Sequence, residues 1–185
     1  MRIRKATPQE ASILAKLMNL AMREITYQFI GETNSDKANA FLAYFIALPD
    51  NQYSYENIYV AEVGNEIAGQ ICLYDGAKLL TLRKPIWEKI KSDFGKDYHA
   101  AEETQAGEFY IDTLAVAPQY QGKGIGKALL EFAIEEFVKK RQQTLGLLVE
   151  KDNDKAKRLY EKLGFEVVEQ IDIFGKVMEH MQIKA

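Results

Sequence analysis

Cysteine is nearly missing from this sequence. Cys72 stands alone, so no disulfide framework is open to the chain. One thiol with two distant histidines, His99 and His180, cannot assemble a zinc site either, and a reducing, cytoplasmic setting with no metal is the expectation. A basic stripe is also missing. The 24 Lys and Arg residues are outnumbered by 27 Asp and Glu, and a net charge of −3 argues against a protein that neutralises nucleic-acid phosphates. No run approaches the roughly 18 apolar residues that cross a bilayer, and "MRIRKATPQEAS" has no apolar centre for a signal peptide. A soluble chain with no membrane partner is expected. Repeats, low-complexity tracts and linkers are missing too. With 185 residues, 47% of them apolar, the chain reads as one α/β domain over residues 1–185.

What is present alternates between two periodicities. "RIRK" reads as a short strand, and Thr7-Pro8 offers a cap and a first-turn proline for a helix carrying Ile13, Leu14, Leu17, Met18, Ala21 and Met22. A second helix is expected over 35–49, ended by Pro49. Residues 58–74 read as a hairpin about Gly64-Asn65. Residues 79–95 look helical around Pro85, as part of a helical insertion over about 76–106. "GEFYIDTLAVAP" (107–118) is a long strand, after which Ile125, Leu129, Leu130, Ala133, Ile134, Phe137 and Val138 form one helical stripe. "TLGLLVE", a helix over "DNDKAKRLYEKLG" and two closing strands complete the chain.

Three glycines, Gly122, Gly124 and Gly126, sit where the helix after "LAVAP" begins. A glycine inside a helix costs roughly 1 kcal/mol against alanine, so these positions need a reason. A tight turn is one reason. The other is an anion, because alternate glycines strip Cβ atoms from an arc at a helix N-terminus and leave successive amides free to face phosphate. Known phosphate loops do not fit the letters. A Walker loop ending at Gly126-Lys127 would need glycine at Gln121 and a hydroxyl residue at Ala128, and the dinucleotide pattern meets Lys127 or Leu129 where it needs glycine.

What does fit is Gln121-x-x-Gly124-x-Gly126, which closely resembles the acetyl-CoA loop of the GNAT N-acetyltransferase superfamily. Downstream, "NDKAKRLYEKLGF" (153–165) resembles that family's N-x-x-A-x-x-x-Y-x-x-x-G-F segment in letters and distance. The resemblance covers most of the chain and is weakest across 20–55 and 75–106. It implies an α/β (α+β) fold with a central mixed, mostly antiparallel sheet of about seven strands, helices on both faces, and strands 4 and 5 splayed apart. It implies acetyl-CoA as co-substrate, with Leu114, Ala115 and Val116 along the pantetheine arm. The amides of Gly122, Lys123, Gly124, Ile125, Gly126 and Lys127 would hold the pyrophosphate, with Gln121 shaping the loop. Neutral amides suit that task, because a buried lysine cluster would cost more desolvation.

Asn153 and Tyr160 lie two helical turns apart and share a face with Ala156. By spacing alone they could be an N-cap and a core aromatic. The resemblance makes Asn153 a cofactor contact and Tyr160 the proton donor to the departing thiolate, a role that a phenol of pKa about 10 can fill at neutral pH. A base is needed because an alkylammonium of pKa about 10.4 is neutral in about one molecule in two thousand at pH 7, a deficit of roughly 4.6 kcal/mol. Strand alternation puts Glu108, Tyr110 and Asp112 on one face. Where related enzymes often carry glutamate or histidine, this chain has Tyr110 and Asp112. The letters leave open whether Asp112 is the base or whether Asp112 and Glu108 line the acceptor pocket. No Ser-His or Cys-His set suggests a protein nucleophile, and Cys72 and both histidines read as structural. The expected activity is acetyl transfer from acetyl-CoA to a primary amine of a small molecule or peptide, by direct attack. The alternative is a regulatory module that binds acyl-CoA without turning it over. Acceptor selectivity is expected from residues 22–34, 75–106 and the closing strands, with Glu24, Tyr27, Glu32 and Trp87 suited to a cationic amine. The closing strands are also the candidate surface for a homodimer.

Overall fold

A computed structural model describes residues 1–98, 101–173 and 175–185. His99 therefore lies outside the described residues. Arg2–Lys5 forms β1, and a capping box between Thr7 and Glu10 starts the following helix, with the Thr7 amide donating to Glu10 Oε2 at 2.8 Å. That helix, Ala11–Ile30 (α1), is broken at Met22, whose φ of −129° and ψ of 31° are not helical. Ser35–Ile46 (α2) starts under Asn34, whose Oδ1 accepts from the Lys37 amide at 3.0 Å, and ends three residues short of the expected Pro49.

Ile58–Val63 (β2) and Glu66–Asp75 (β3) form the expected hairpin. Leu79–Phe94 (α3) follows with Pro85 inside it. The proline removes one rung of the helix ladder. Near it, the Leu82 carbonyl accepts from the Gln52 amide at 3.0 Å, which ties α3 to the loop after α2.

Glu108–Val116 (β4), Ile125–Ala133 (α4), Thr144–Glu150 (β5), Asp154–Lys162 (α5), Glu166–Ile173 (β6) and Lys176–Ile183 (β7) complete the order. The apolar stripe expected as one helix to Val138 instead passes into a π-helix over Ile134–Lys140. Its apolar positions recur every four residues (129, 133, 137 and 130, 134, 138), wider than an α-helical turn. A turn closed by i→i+5 bonds keeps them facing the sheet.

The sheet runs β1-β2-β3-β4-β5-β7-β6, antiparallel throughout except for the β4–β5 pair. One core layer, including Leu14, Met18, Phe45, Val60 and Ile90, packs α1, α2 and α3 on one face. On the other face, Ile71, Leu129, Leu130, Leu147 and Met181 seat α4 and its π-helical extension. No helix among the described residues is long and apolar enough to cross a membrane.

Candidate active site

Parallel strands β4 and β5 pair only from Glu108↔Thr144 to Ile111↔Leu147. Beyond that register β4 continues to Val116 and β5 to Glu150, so the main chain between them is unpaired. A cavity of about 460 Å³ opens at this parting. On the β3 side, Cys72 pairs with Thr113 but Leu73 pairs with Ile111, leaving Asp112 as the extra residue of a β-bulge. The bulge turns two successive side chains to one face. Asp112 Oδ2 accepts from Tyr74 Oη at 3.0 Å, while Thr113 Oγ1 accepts from Gln70 Nε2 at 3.1 Å, and Gln70 and Tyr74 share a face of β3.

Asp112 is held by a buried network. Gln52 Nε2 donates to Asp112 Oδ2 at 2.6 Å and to Glu103 Oε1 at 3.3 Å. Arg83 Nε donates to Gln52 Oε1 at 3.1 Å, and Arg83 Nη2 forms an ion pair with Glu103 Oε1. Burial pushes the Asp112 carboxyl up to about 6, and the neighbouring Glu103 carboxylate adds to the rise. Hydrogen bonds from Gln52 and Tyr74 and the charge of Arg83 oppose it.

The opposite wall is α5. Asn153 caps it, its Oδ1 accepting from the Ala156 amide at 3.2 Å, and Asn153, Ala156 and Tyr160 all line the cavity. Tyr160 packs edge-on to Phe165, with ring centroids 6.0 Å apart, and its hydroxyl makes no hydrogen bond among the described residues. Burial raises its pKa, so the proton stays on oxygen at neutral pH.

The structure thus brings Asp112, Leu114, Asn153, Ala156 and Tyr160 to one cavity. Ala115, Val116 and the loop from Gln121 to Lys127 lie beyond its lining, at the far end of β4. Gln121 Nε2 donates to the Val116 carbonyl at 3.2 Å, pinning the loop to the strand. Gly124 is the N-cap residue of α4, and no side chain caps that end. The three glycines are of two kinds. Gly122 and Gly124 have φ of +75° and +80°, with nothing within 4 Å of an added Cβ, whereas a Cβ on Gly126 would make an ordinary 3.6 Å contact with Val116. Turn geometry therefore accounts for two of them. Ile125 is buried in the core, Lys127 pairs with Glu131 at 2.7 Å, and Lys123 lies over the Tyr120 ring at 5.2 Å.

Glu108 lies apart from the cavity. Although burial works to raise its pKa, donors from His180 at 2.9 Å, Thr104 at 2.6 Å and Gln182 at 2.7 Å hold it below the usual range. Its carboxylate occupies the space where a side chain at Gly146 would go. Of the residues expected to suit a cationic amine, Trp87 lines the cavity. Glu24 pairs instead with Lys176 at 3.1 Å, Glu32 with Lys37 at 2.5 Å, and Tyr27 Oη meets Ser35 Oγ at 2.7 Å.

Sequence reasoning missed Gln52, Tyr74, Arg83 and Glu103. Arg83 left a readable trace: it interrupts the buried α3 stripe of Leu79, Ile86 and Ile90 with a charge. Glu103 and Gln52 lie in irregular segments with no periodicity to mark them.

Comparisons with known proteins agree with the fold. An N-acetyltransferase from Staphylococcus aureus Mu50 superposes with a TM-score of 0.86 at 25% identity, covering 99% of this chain and 100% of that one. Another solved acetyltransferase gives a TM-score of 0.84 at 30% identity, covering 100% and 99% of the two chains. In sequence, a mycothiol acetyltransferase of Corynebacterium aurimucosum is 35% identical over 79 residues, 43% of this chain and 25% of that protein. The ribosomal protein bS18-alanine N-acetyltransferase of Escherichia coli K12 is 50% identical over 52 residues, 28% of this chain and 35% of that one. The matched segment thus spans only a quarter to about a third of these curated relatives. The acetyltransferase (GNAT) family profile matches residues 16–165, most of the sequence, and the chain belongs to that family.

Proposed function

We propose that this protein is an acetyl-CoA-dependent N-acetyltransferase that acylates a primary amine of a small molecule or peptide by direct attack. The observation that carries the reading is the cavity at the parting of β4 and β5. A carboxylate with a raised pKa and a tyrosine hydroxyl without a hydrogen bond among the described residues line its walls. The residues fit the coenzyme. Main chain is unpaired between Asp112–Val116 and Leu148–Glu150, and the start of α4 is uncapped, with open space at Gly122 and Gly124. In this reading Leu114 to Val116 and Asn153 hold the arm, and the amides from Gly122 to Lys127 hold the diphosphate.

Bound acetyl-CoA supplies an activated thioester. Asp112 takes the proton of the incoming ammonium, directly or through water. Its rise from 3.8 to about 6 narrows the gap to an ammonium by about 3 kcal/mol at 1.36 kcal/mol per unit. Tyr160 gives its proton to the leaving sulfur. A cytoplasmic location and self-association through the outer hairpin, where Val167, Val168 and Val177 are exposed, belong to the same proposal.

The test is thiol release from acetyl-CoA with a panel of amines. Tyr160→Phe is expected to lower kcat about 100-fold while the acetyl-CoA Kd stays within threefold. An unimpaired variant near neutral pH removes the proton-donor role. Acetyl-CoA binding without thiol release for any amine would make the protein a binding module instead.

A further inference from the structure

Glu103 is 6% exposed on the wall of the cavity, and its Oε2 has no hydrogen-bond partner among the described residues. Its Oε1 is fully used, receiving both Arg83 Nη2 and Gln52 Nε2. A buried carboxylate oxygen without a donor is costly, more so than a neutral group. The two oxygens are rigidly joined, so while Oε1 stays with Arg83, Oε2 keeps its buried place in the cavity wall, and a small opening of that wall around a bound molecule brings a donor within its reach. Asp112 is close by. Its Oδ2 and Glu103 Oε1 accept from the same Gln52 nitrogen, at 2.6 and 3.3 Å, so the two carboxylates are separated by no more than those two lengths laid end to end.

Resting on the N-acetyltransferase reading above, we propose that Glu103 Oε2 recognises the acceptor. The acceptor is then a primary amine that carries a second, uncharged hydrogen-bond donor, a hydroxyl or an amide N–H, a few atoms from the reacting nitrogen. Charge decides against a second ammonium, because Arg83 already balances Glu103 and a further cation would face it across one carboxylate. The remaining wall limits the body of the molecule. Met22, Phe29, Ile86, Trp87 and Tyr98 present apolar and aromatic surface, which suits a compact carbon skeleton rather than a polar chain.

The experiment compares kcat/KM for thiol release with matched amines of equal chain length: an amino alcohol, its O-methyl ether and the corresponding diamine, plus an amino-acid amide. The hydroxyl and amide acceptors are expected to exceed the ether and the diamine by about 10- to 100-fold, the range for a hydrogen bond to a charged group. Glu103→Gln supplies the second reading. Arg83 and Gln52 both donate to the Oε1 position, which forces the new side chain's oxygen toward them and its NH₂ toward the lumen. An acceptor becomes a donor, and the hydroxyl-to-ether ratio should fall at least tenfold. If the variant does not fold, the wild-type ratios decide alone. Thiol release with a hydroxyl-to-ether ratio near one overturns this inference and leaves the proposed function standing. No release with any amine overturns both.

Discussion

Gly124 and Gly126 stand two residues apart at the start of α4, yet alanine should affect them in opposite ways. At Gly124 the backbone is left-handed, with φ of +80°, and alanine there costs about 1–2 kcal/mol. Its methyl would enter the open space above the uncapped amides, where nothing among the described residues lies within 4 Å. At Gly126 the backbone φ is not positive, and the methyl would touch Val116 Cγ2 at 3.6 Å, an ordinary packing distance that faces the strand. Alanine there gains roughly 0.5–1 kcal/mol of helix propensity. For a chain of this size, each kcal/mol moves Tm by about 2–4 °C. Thermal melts should therefore show Gly126→Ala about 1–4 °C above wild type and Gly124→Ala several degrees below. Calorimetric titration with acetyl-CoA should give a Kd within about threefold for Gly126→Ala. For Gly124→Ala it should be at least tenfold weaker, equivalent to about 1.4 kcal/mol, as a displaced methyl and a shifted turn disturb two or more amides. Unchanged affinity for Gly124→Ala would refute the diphosphate site. A large loss for Gly126→Ala would mean that ligand occupies the space beside Val116, and the division of the glycines into two kinds would fail.

Two further substitutions test the interior. The Asp112 carboxyl is raised to about 6, so its burial destabilises the fold once it ionises. That penalty is small near pH 4 and complete above about pH 7, and Asp112→Asn, which keeps an oxygen for Gln52 and Tyr74, should raise Tm by several degrees at pH 8 and far less at pH 4. The same variant should lose most turnover, and a Tm gain equal at both pH values would show that Asp112 carries no buried charge. Gly146→Ala sets its Cβ against the Glu108 carboxylate, 2.6 Å from Cδ, and three donors pin that carboxylate in place, so chemical denaturation should register a loss of more than about 2 kcal/mol. A wild-type midpoint would mean that Glu108 is free to move aside.

The parts of this molecule legible in its sequence are those governed by local periodicity or local chemistry. Alternation over 58–74 and 107–118 marked the central strands, and spacing marked α1, α4 and α5. For Asn153 and Tyr160, the separation of two helical turns gave only a common face, and it was the resemblance of residues 153–165 to the family's segment that marked them as site candidates. Two differences have local causes that letters alone did not weigh: the apolar repeat of four that widens α4 into a π-helix, and the bulge at Asp112. The network behind Asp112 was illegible for a different reason. Gln52, Arg83 and Glu103 come from a loop, a proline-containing helix and an irregular segment, up to 60 residues from Asp112 in sequence. No periodicity connects them, and they meet because the sheet and α3 close on the same point.

That meeting ties acceptor selection to the strength of the base. Gln52 donates to both carboxylates, and Glu103, the group proposed to read the acceptor, is also the nearby charge that raises the pKa of Asp112. Arg83 moderates both, through its ion pair with Glu103 and its hydrogen bond to Gln52. Removing the Glu103 charge to admit a different amine therefore weakens Asp112 as a proton acceptor, while removing Arg83 leaves a buried carboxylate uncompensated and drives the Asp112 pKa higher. The two properties cannot be tuned one at a time. A relative with a different acceptor should have rebuilt the loop after α2, α3 and the segment before β4 together.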